Sequence, residues 1–158
     1  MFQALLEPHQ DTLQRIEIGS LTGGGFTPIN FLSFPNLQVL QLSHWAYRET
    51  PEVAASSLLA PRLHTFIWDF RVLYLENKPR EDFGVEQKEW LIDFCRLGRE
   101  KRSALKKVKI LFVTDEWQVP RTREVWEITV SPCGLMDEVK EVVQGFDIEL
   151  VGDGRTRE

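Results

Sequence analysis

The residues that could perform acid–base or nucleophilic chemistry are few and lie far apart in the sequence. Asp115 and Glu116 are adjacent acids after an apolar segment, and they could act as a carboxylate pair in general acid–base catalysis. Solvated loop charge is the alternative interpretation of that pair. Ser43-His44 and Ser103 lack the sequence context of a hydrolase nucleophile. We therefore predict that the chain is not an enzyme, and we assign no catalytic residue.

Residues that could bind a metal or a cofactor show no recognisable spacing. His9, His44 and His64 are separated by long stretches, without a cysteine or aspartate pair at ligand distance. Gly23–Gly25 is not followed by the Lys-Ser/Thr pair of a phosphate loop, so a turn is the expected structure there. We predict no metal and no cofactor.

Six cationic residues form one basic cluster near the middle of the chain, at Arg99, Lys101, Arg102, Lys106, Lys107 and Lys109. The cluster could bind an acidic partner or RNA. Alternatively, it is a solvated helix end whose charges complement the helix dipole. Few aromatic residues interleave with it, and the net charge of the whole chain is −5, so nucleic acid is an unfavoured partner.

Composition indicates one folded domain inside the cell. The 158 residues are 42% hydrophobic and 27% charged, which is ordinary for a globular protein with a substantial core. Cys95 and Cys133 show no disulfide pattern, and Cys95 falls on the apolar side of a predicted helix, where a buried, inert thiol is expected. No apolar run is long enough to cross a membrane, and the first residues do not resemble a signal peptide. A cytoplasmic or nuclear location follows as an expectation.

A repeated apolar spacing organises the elements. Leu37-Gln-Val-Leu40-Gln-Leu42 has the form Leu-x-x-Leu-x-Leu, and its offsets recur from Leu13, Leu63 and Leu105, at intervals of 24, 26 and 42 residues. Such spacing is typical of stacked repeats that bury their apolar faces against one another. It predicts an α/β fold: a short curved solenoid like that of leucine-rich repeats, with parallel strands on one face and helices and loops on the other.

Local signals place the helices between these strands. Thr50-Pro51-Glu52 is a strong helix start, because threonine can cap and proline suits the first turn. A second helix is predicted from about Val85 to Lys101, within an insertion at about 78–103. A third should begin near Ser131-Pro132 and end with Gly145 in the left-handed conformation, before a closing strand through Leu150. The predicted domain covers 1–151, with a flexible tail at 152–158.

Residues 2–7 have the pattern of the tail of a helix, which predicts that the chain begins inside a repeat. A solenoid needs a polar cap over its end repeat. We expect either that the chain is a fragment, a truncated gene model or partner-covered at this end, or that a short N-terminal helix acts as the cap.

Three segments show a resemblance to a known family. Phe34-Pro-Asn-Leu-Gln-Val-Leu-Gln-Leu-Ser43 resembles ordinary leucine-rich repeats, while 59–70 and 82–90, followed by 105–110, are similar to blocks of fungal F-box/leucine-rich-repeat-like proteins. The resemblance implies the target-binding portion of a ubiquitin ligase receptor, in which an F-box docks the Skp adaptor. No F-box is visible here, so Skp is a partner only if an F-box lies upstream. The asparagine that usually follows the repeat strand is replaced by Trp45, Arg71 and Val113, which marks the repeats as degenerate.

Strand geometry predicts a binding surface, because successive side chains on a strand point to opposite faces. If Leu40 and Leu42 face the core, the alternate residues face outward and align in rows across the sheet. The first row contains Arg15, Val39, Thr65 and Lys107, the second Glu17, Gln41, Ile67 and Lys109, and the strand ends add Ser43, Asp69 and Leu111.

Apolar residues within these rows have two interpretations. Exposed Val39, Ile67 and Leu111 would form a contact patch, with Trp45 and Tyr47 on the following loop as anchors. Alternatively, the long insertion folds over the rows and buries them. We predict a protein–protein interaction module with an unknown protein target. A small enzyme, or an RNA-binding domain using the basic cluster, is the alternative.

Overall fold

A computed structural model describes residues 2–19, 29–44, 49–70, 83–111 and 132–153. Predictions for Gly23–Gly25, for Trp45 and Tyr47, for Asp115 and Glu116, and for the C-terminal residues 154–158 fall outside these ranges. The described elements, in chain order, are α1 (Phe2–Leu6), β1 (Arg15–Ile18), β2 (Val39–Ser43), α2 (Pro51–Ser57), β3 (Thr65–Asp69), α3 (Val85–Glu100), β4 (Lys107–Leu111), α4 (Pro132–Gln144) and β5 (Glu149–Asp153). Short 3-10 turns at Glu7–His9 and Phe31–Ser33 accompany them.

The described strands form one five-stranded sheet in the order β1-β2-β3-β4-β5, and each neighbouring pair is parallel. Ile16, Leu40, Phe66, Val108 and Leu150 align across the sheet as register partners. The predicted α/β class with parallel strands is therefore confirmed. Parallel neighbours require a crossover connection, and α2, α3 and α4 lie in the connections between successive strands from β2 to β5.

Each of the first four strands begins in the same way. Leu13, Leu37, Leu63 and Leu105 all precede their strands by two residues, and the last three are at most 4% exposed. The residue between this leucine and its strand has a backbone carbonyl that accepts hydrogen bonds from two backbone N–H groups of the next unit. Gln14 O accepts from Gln38 and Val39, Gln38 O from His64 and Thr65, and His64 O from Lys106 and Lys107. The repeated leucine thus marks a repeated backbone arrangement.

Helix α2 begins as its sequence predicts. The Thr50 Oγ1 accepts a hydrogen bond from Val53 N at 3.5 Å. Pro51 occupies the first turn, where backbone N–H groups have no acceptor within the helix, so the N–H that proline lacks costs no hydrogen bond. Helix α3 begins after Gly84, whose N–H donates to Gln87 Oε1 at 2.9 Å. Both starts satisfy backbone donors that a helix leaves open at its N-terminus.

The ends of α3 and α4 share one capping arrangement. Ser103 N donates to Gly98 O at 2.9 Å, and Ile148 N donates to Val143 O at 3.3 Å. The left-handed residues of these turns are Arg102 (φ 53°) and Asp147 (φ 62°). This pattern is the Schellman motif. The prediction that Gly145 is the left-handed residue is wrong, because the turn continues for two further residues before the chain reverses.

The core lies between the helices and one face of the sheet. Alternate strand residues, among them Leu40, Leu42, Phe66 and Trp68, pack in one cluster with buried residues of α2, α3 and α4. Aromatic rings join sheet and helix, with Phe66 and Phe94 centroids 5.2 Å apart and Trp68 and Trp90 centroids 4.6 Å apart. Helix α3, predicted as part of an insertion, therefore belongs to the helical layer on the core side of the sheet.

Two further features concern the ends of the described chain. Strand β5 pairs with β4 as far as Asp153, so the first two residues of the predicted flexible tail, 152 and 153, belong to the sheet. Helix α1 confirms the predicted helical start, with Leu6 packed against the core and Leu5 66% exposed. None of the described helices is long and apolar enough to cross a membrane.

Candidate binding surface

The sheet face opposite the helices contains the predicted rows in the predicted register. Arg15, Val39, Thr65 and Lys107 are successive partners, and Glu149 of β5 extends the row. Glu17, Gln41, Ile67 and Lys109 form the second row, which Val151 extends. Ser43, Asp69 and Leu111 align at the strand ends. The sequence reasoning omitted Glu149 and Val151, although their alternation with Leu150 was visible.

Burial divides this face into two parts. Ile67 is 7% and Leu111 6% exposed, and both lie outside the main core cluster. Gln41 and Ser43 are also buried, at 9% and 6%. The expectation that Ile67 and Leu111 are exposed contact residues is wrong, because the fold of the chain itself removes their side chains from water. Internal packing is the interpretation that holds for these positions.

The row at the strand starts is the accessible part. Arg15 is exposed, and Val39, Thr65 and Lys107 are half-buried. Lys107 Nζ lies 2.9 Å from Glu149 Oε2, and at the opposite edge Arg15 Nε lies 2.5 Å from Glu17 Oε1. We define the first-row surface as Arg15, Val39, Thr65, Lys107 and Glu149. It combines ion pairs at both edges with an apolar and a hydroxyl side chain in the middle.

Neighbouring groups position the middle of the first-row surface. Thr65 Oγ1 lies 2.8 Å from Nδ1 of the exposed His64 ring, within hydrogen-bonding distance. Trp45 and Tyr47, the predicted anchors, lie outside the described residues, so their role stays a prediction. Lys109 and Val151 of the second row are half-buried and adjoin this surface.

Among the residues that the structure describes, the candidate chemical groups are not brought together. His9 and His64 are exposed, whereas the His44 ring stacks on Phe70 with centroids 4.5 Å apart. Among the described residues, no group of three or more His, Cys, Asp or Glu side chains could hold a metal ion. Cys95 is fully buried, and burial raises the pKa of its thiol to about 12, as expected for an inert core thiol.

The basic cluster is divided by the fold. Lys107 and Lys109 lie on the sheet face, since they alternate with the core residues Val108 and Ile110. Arg99, Arg102 and Lys106 instead line a cavity beside the end of α3, and Lys101 is exposed at that helix end. No continuous basic stripe runs through the described part of the cluster, which weakens its interpretation as an RNA-binding surface.

Comparisons with protein-family models, with curated proteins and with solved structures give no match for this chain. The resemblance to F-box/leucine-rich-repeat-like proteins therefore stays a prediction from the sequence.

Proposed function

We propose that the chain is a protein-interaction module that binds a partner protein through the first-row surface. The supporting observation is the in-register alignment of Arg15, Val39, Thr65, Lys107 and Glu149 across five parallel strands. A sheet face holds such side chains at fixed spacing, so the module itself loses little conformational entropy when it binds a partner.

More specifically, we propose that the chain is a degenerate leucine-rich-repeat-like solenoid, the target-binding portion of an F-box-type receptor. The sequential strand order and the repeated carbonyl bonds of Gln14, Gln38 and His64 support the repeat. Docking of the Skp adaptor requires an F-box, so the adaptor is a partner only where that segment lies upstream. Target binding by the repeat portion does not depend on it.

The chemistry of the surface defines the partner. At one edge Lys107 pairs with Glu149, and at the other Arg15 pairs with Glu17 of the second row. The centre of the surface contains the half-buried Val39 and Thr65. An interface of this kind fits a protein segment with an apolar side chain flanked by charged ones, because a dry centre and a polar rim are typical of protein interfaces.

The test is affinity capture with a matched pair of variants. The first variant is Val39→Asp with Lys107→Glu, which alters the first-row surface. The control is Val142→Asp with Lys140→Glu, which makes the same changes at exposed positions of α4. We expect the first variant to lose a partner that wild type and control both retain, with all three showing the same circular dichroism. Retention by the folded first variant would refute the proposal.

A further inference from the structure

A surface cavity of about 230 Å³ lies beside the end of α3, near the edge of the sheet where the strands begin. Its lining includes three cationic side chains and one hydroxyl group, those of Arg99, Arg102, Lys106 and Ser103. Gly98, Leu105, Phe146 and Ile148 complete the lining, and none of these described lining residues is acidic. A chain with a net charge of −5 thus contains a locally cationic cavity.

The turn after α3 gathers these groups. Arg102 N donates to Arg99 O at 3.0 Å and Ser103 N to Gly98 O at 2.9 Å, which reverses the chain immediately after the helix. A continuing helix would instead separate these side chains along its length. Gly98 permits the close turn, because a Cβ atom at that position would lie 3.2 Å from Ser103 Oγ.

Hydrogen-bond donors remain for a ligand. Arg99 Nη1 donates to Phe146 O at 3.3 Å, which orients the guanidinium while using one of its five N–H groups. Ser103 Oγ accepts from Leu105 N at 3.4 Å, so its hydroxyl hydrogen can be donated to another acceptor.

Lys106 has an acidic neighbour outside this lining. Its Nζ lies 2.5 Å from Asp147 Oδ2, but both side chains are largely exposed, so solvent weakens the pair and the ammonium group can move to a ligand. The hydrogen bond and positive charge of Lys106, together with the charge of Arg99, lower the pKa of Asp147. The same cations would favour any other anionic group nearby.

We propose that this cavity binds a phosphate monoester, which Arg99, Arg102 and Lys106 hold through charge-assisted hydrogen bonds and Ser103 through its hydroxyl group. Two guanidinium groups suit the planar, bidentate recognition of phosphate oxygens, and three cations suit a dianion better than a single carboxylate. A nucleic acid fits less well. Stacking requires exposed aromatic rings, and the aromatic residue among those lining the cavity, Phe146, is half-buried.

This site is independent of the first-row surface, since the two share no residue. Isothermal titration calorimetry at low salt with O-phospho-L-serine, and with a short phosphoserine peptide, tests it directly. We expect both probes to bind and the unphosphorylated peptide not to bind. Tighter binding of the peptide than of free phosphoserine assigns the phosphate to a modified protein, and equal binding assigns it to a small phosphate compound.

Variants separate the cavity from the rest of the basic cluster. We expect Arg99→Gln with Arg102→Gln to weaken phosphoserine binding at least about tenfold, since two charge-assisted contacts are lost. The control, Lys107→Gln with Lys109→Gln, should bind within about twofold of wild type, because these side chains point to the sheet face. Ser103→Ala provides a milder second variant, with an expected weakening of about threefold.

Several results would overturn the proposal. One is the absence of binding at millimolar phosphoserine, and another is unchanged affinity in the folded double variant. A third is equal loss of affinity in the control variant, which would indicate only general electrostatic attraction. A single-stranded RNA that binds more tightly than the phosphopeptide, through Arg99 and Arg102, would assign the cavity to nucleic acid instead.

Discussion

Gln41 Nε2 donates a hydrogen bond to Asp69 Oδ2 at 2.9 Å, joining β2 to β3 on the sheet face opposite the helices. Gln41 is buried and Asp69 half-buried, so the bond lies where water is largely excluded. This hydrogen bond lies on the buried part of the sheet face, beside the first-row surface. The bond explains how a polar residue is accommodated there, since buried polar groups are stable when they are hydrogen-bonded.

The first prediction concerns this bond. Replacement of Gln41 by Leu should lower the free energy of unfolding by about 1–3 kcal/mol, because the Asp69 carboxylate loses a donor in a partly buried site. Urea unfolding followed by circular dichroism measures the change. The control is Gln14→Leu at an exposed position, for which we expect a change within about 0.5 kcal/mol. Equal stabilities of the two variants would contradict the assigned role.

The second prediction concerns the left-handed residue after α3. Arg102 has φ 53°, a conformation that is unfavourable for a residue with a Cβ atom. Arg102→Gly should raise the free energy of unfolding by about 0.5–1 kcal/mol, the relief of strain being offset in part by unfolded-state entropy. The neighbouring Lys101 has φ −77°, so Lys101→Gly should lower it instead. Two changes of the same sign in thermal melts would show that the backbone conformation is not the cause.

The third prediction concerns the thiol of Cys95. Burial raises its pKa to about 12, so almost no thiolate exists at pH 8. In a Cys133→Ser variant, we expect a disulfide reagent to leave Cys95 unmodified in the folded chain and to modify it fully in guanidinium chloride. Rapid modification of the folded chain would contradict its burial.

The raised pKa of Cys95 also makes the stability of the folded chain depend on pH. A raised pKa in the folded chain means that stability is fully present below the ordinary thiol pKa and declines as pH rises toward about 12. Comparison of the alkaline unfolding profile with that of Cys95→Ala isolates this contribution, since alanine does not titrate.

The fourth prediction concerns Asp147. The hydrogen bond and charge of Lys106 lower the pKa of this carboxyl group. Its contribution to stability is therefore present above its ordinary pKa and is lost as pH falls through the lowered value. Carbon-detected NMR titration should find the lowered pKa in wild type, a higher value in Lys106→Met, and the wild-type value in Lys109→Met. The same low pKa in Lys106→Met would exclude the ion pair as the main cause.

Local features were predictable from sequence because they depend on near neighbours. The Leu-x-x-Leu-x-Leu spacing located four parallel strands and their register, since alternation along a strand determines which residues face the core. Thr50-Pro51 marked the start of α2 through capping chemistry confined to one helical turn. The apolar side of α3, including Phe94 and Cys95, followed from helical periodicity and packs in the core.

The candidate surface depended on contacts that sequence patterns do not contain. The alternation that turns Ile67 and Leu111 away from the helices was predictable, but their burial was not, because burial depends on which distant residues pack above them. The cavity of Arg99, Arg102 and Lys106 requires a chain reversal whose left-handed residue is an arginine rather than a glycine. Sequence alone therefore determined the order and register of the elements. Only the tertiary structure decided which side chains water and a partner can reach, because solvent exposure is a property of the whole packed chain.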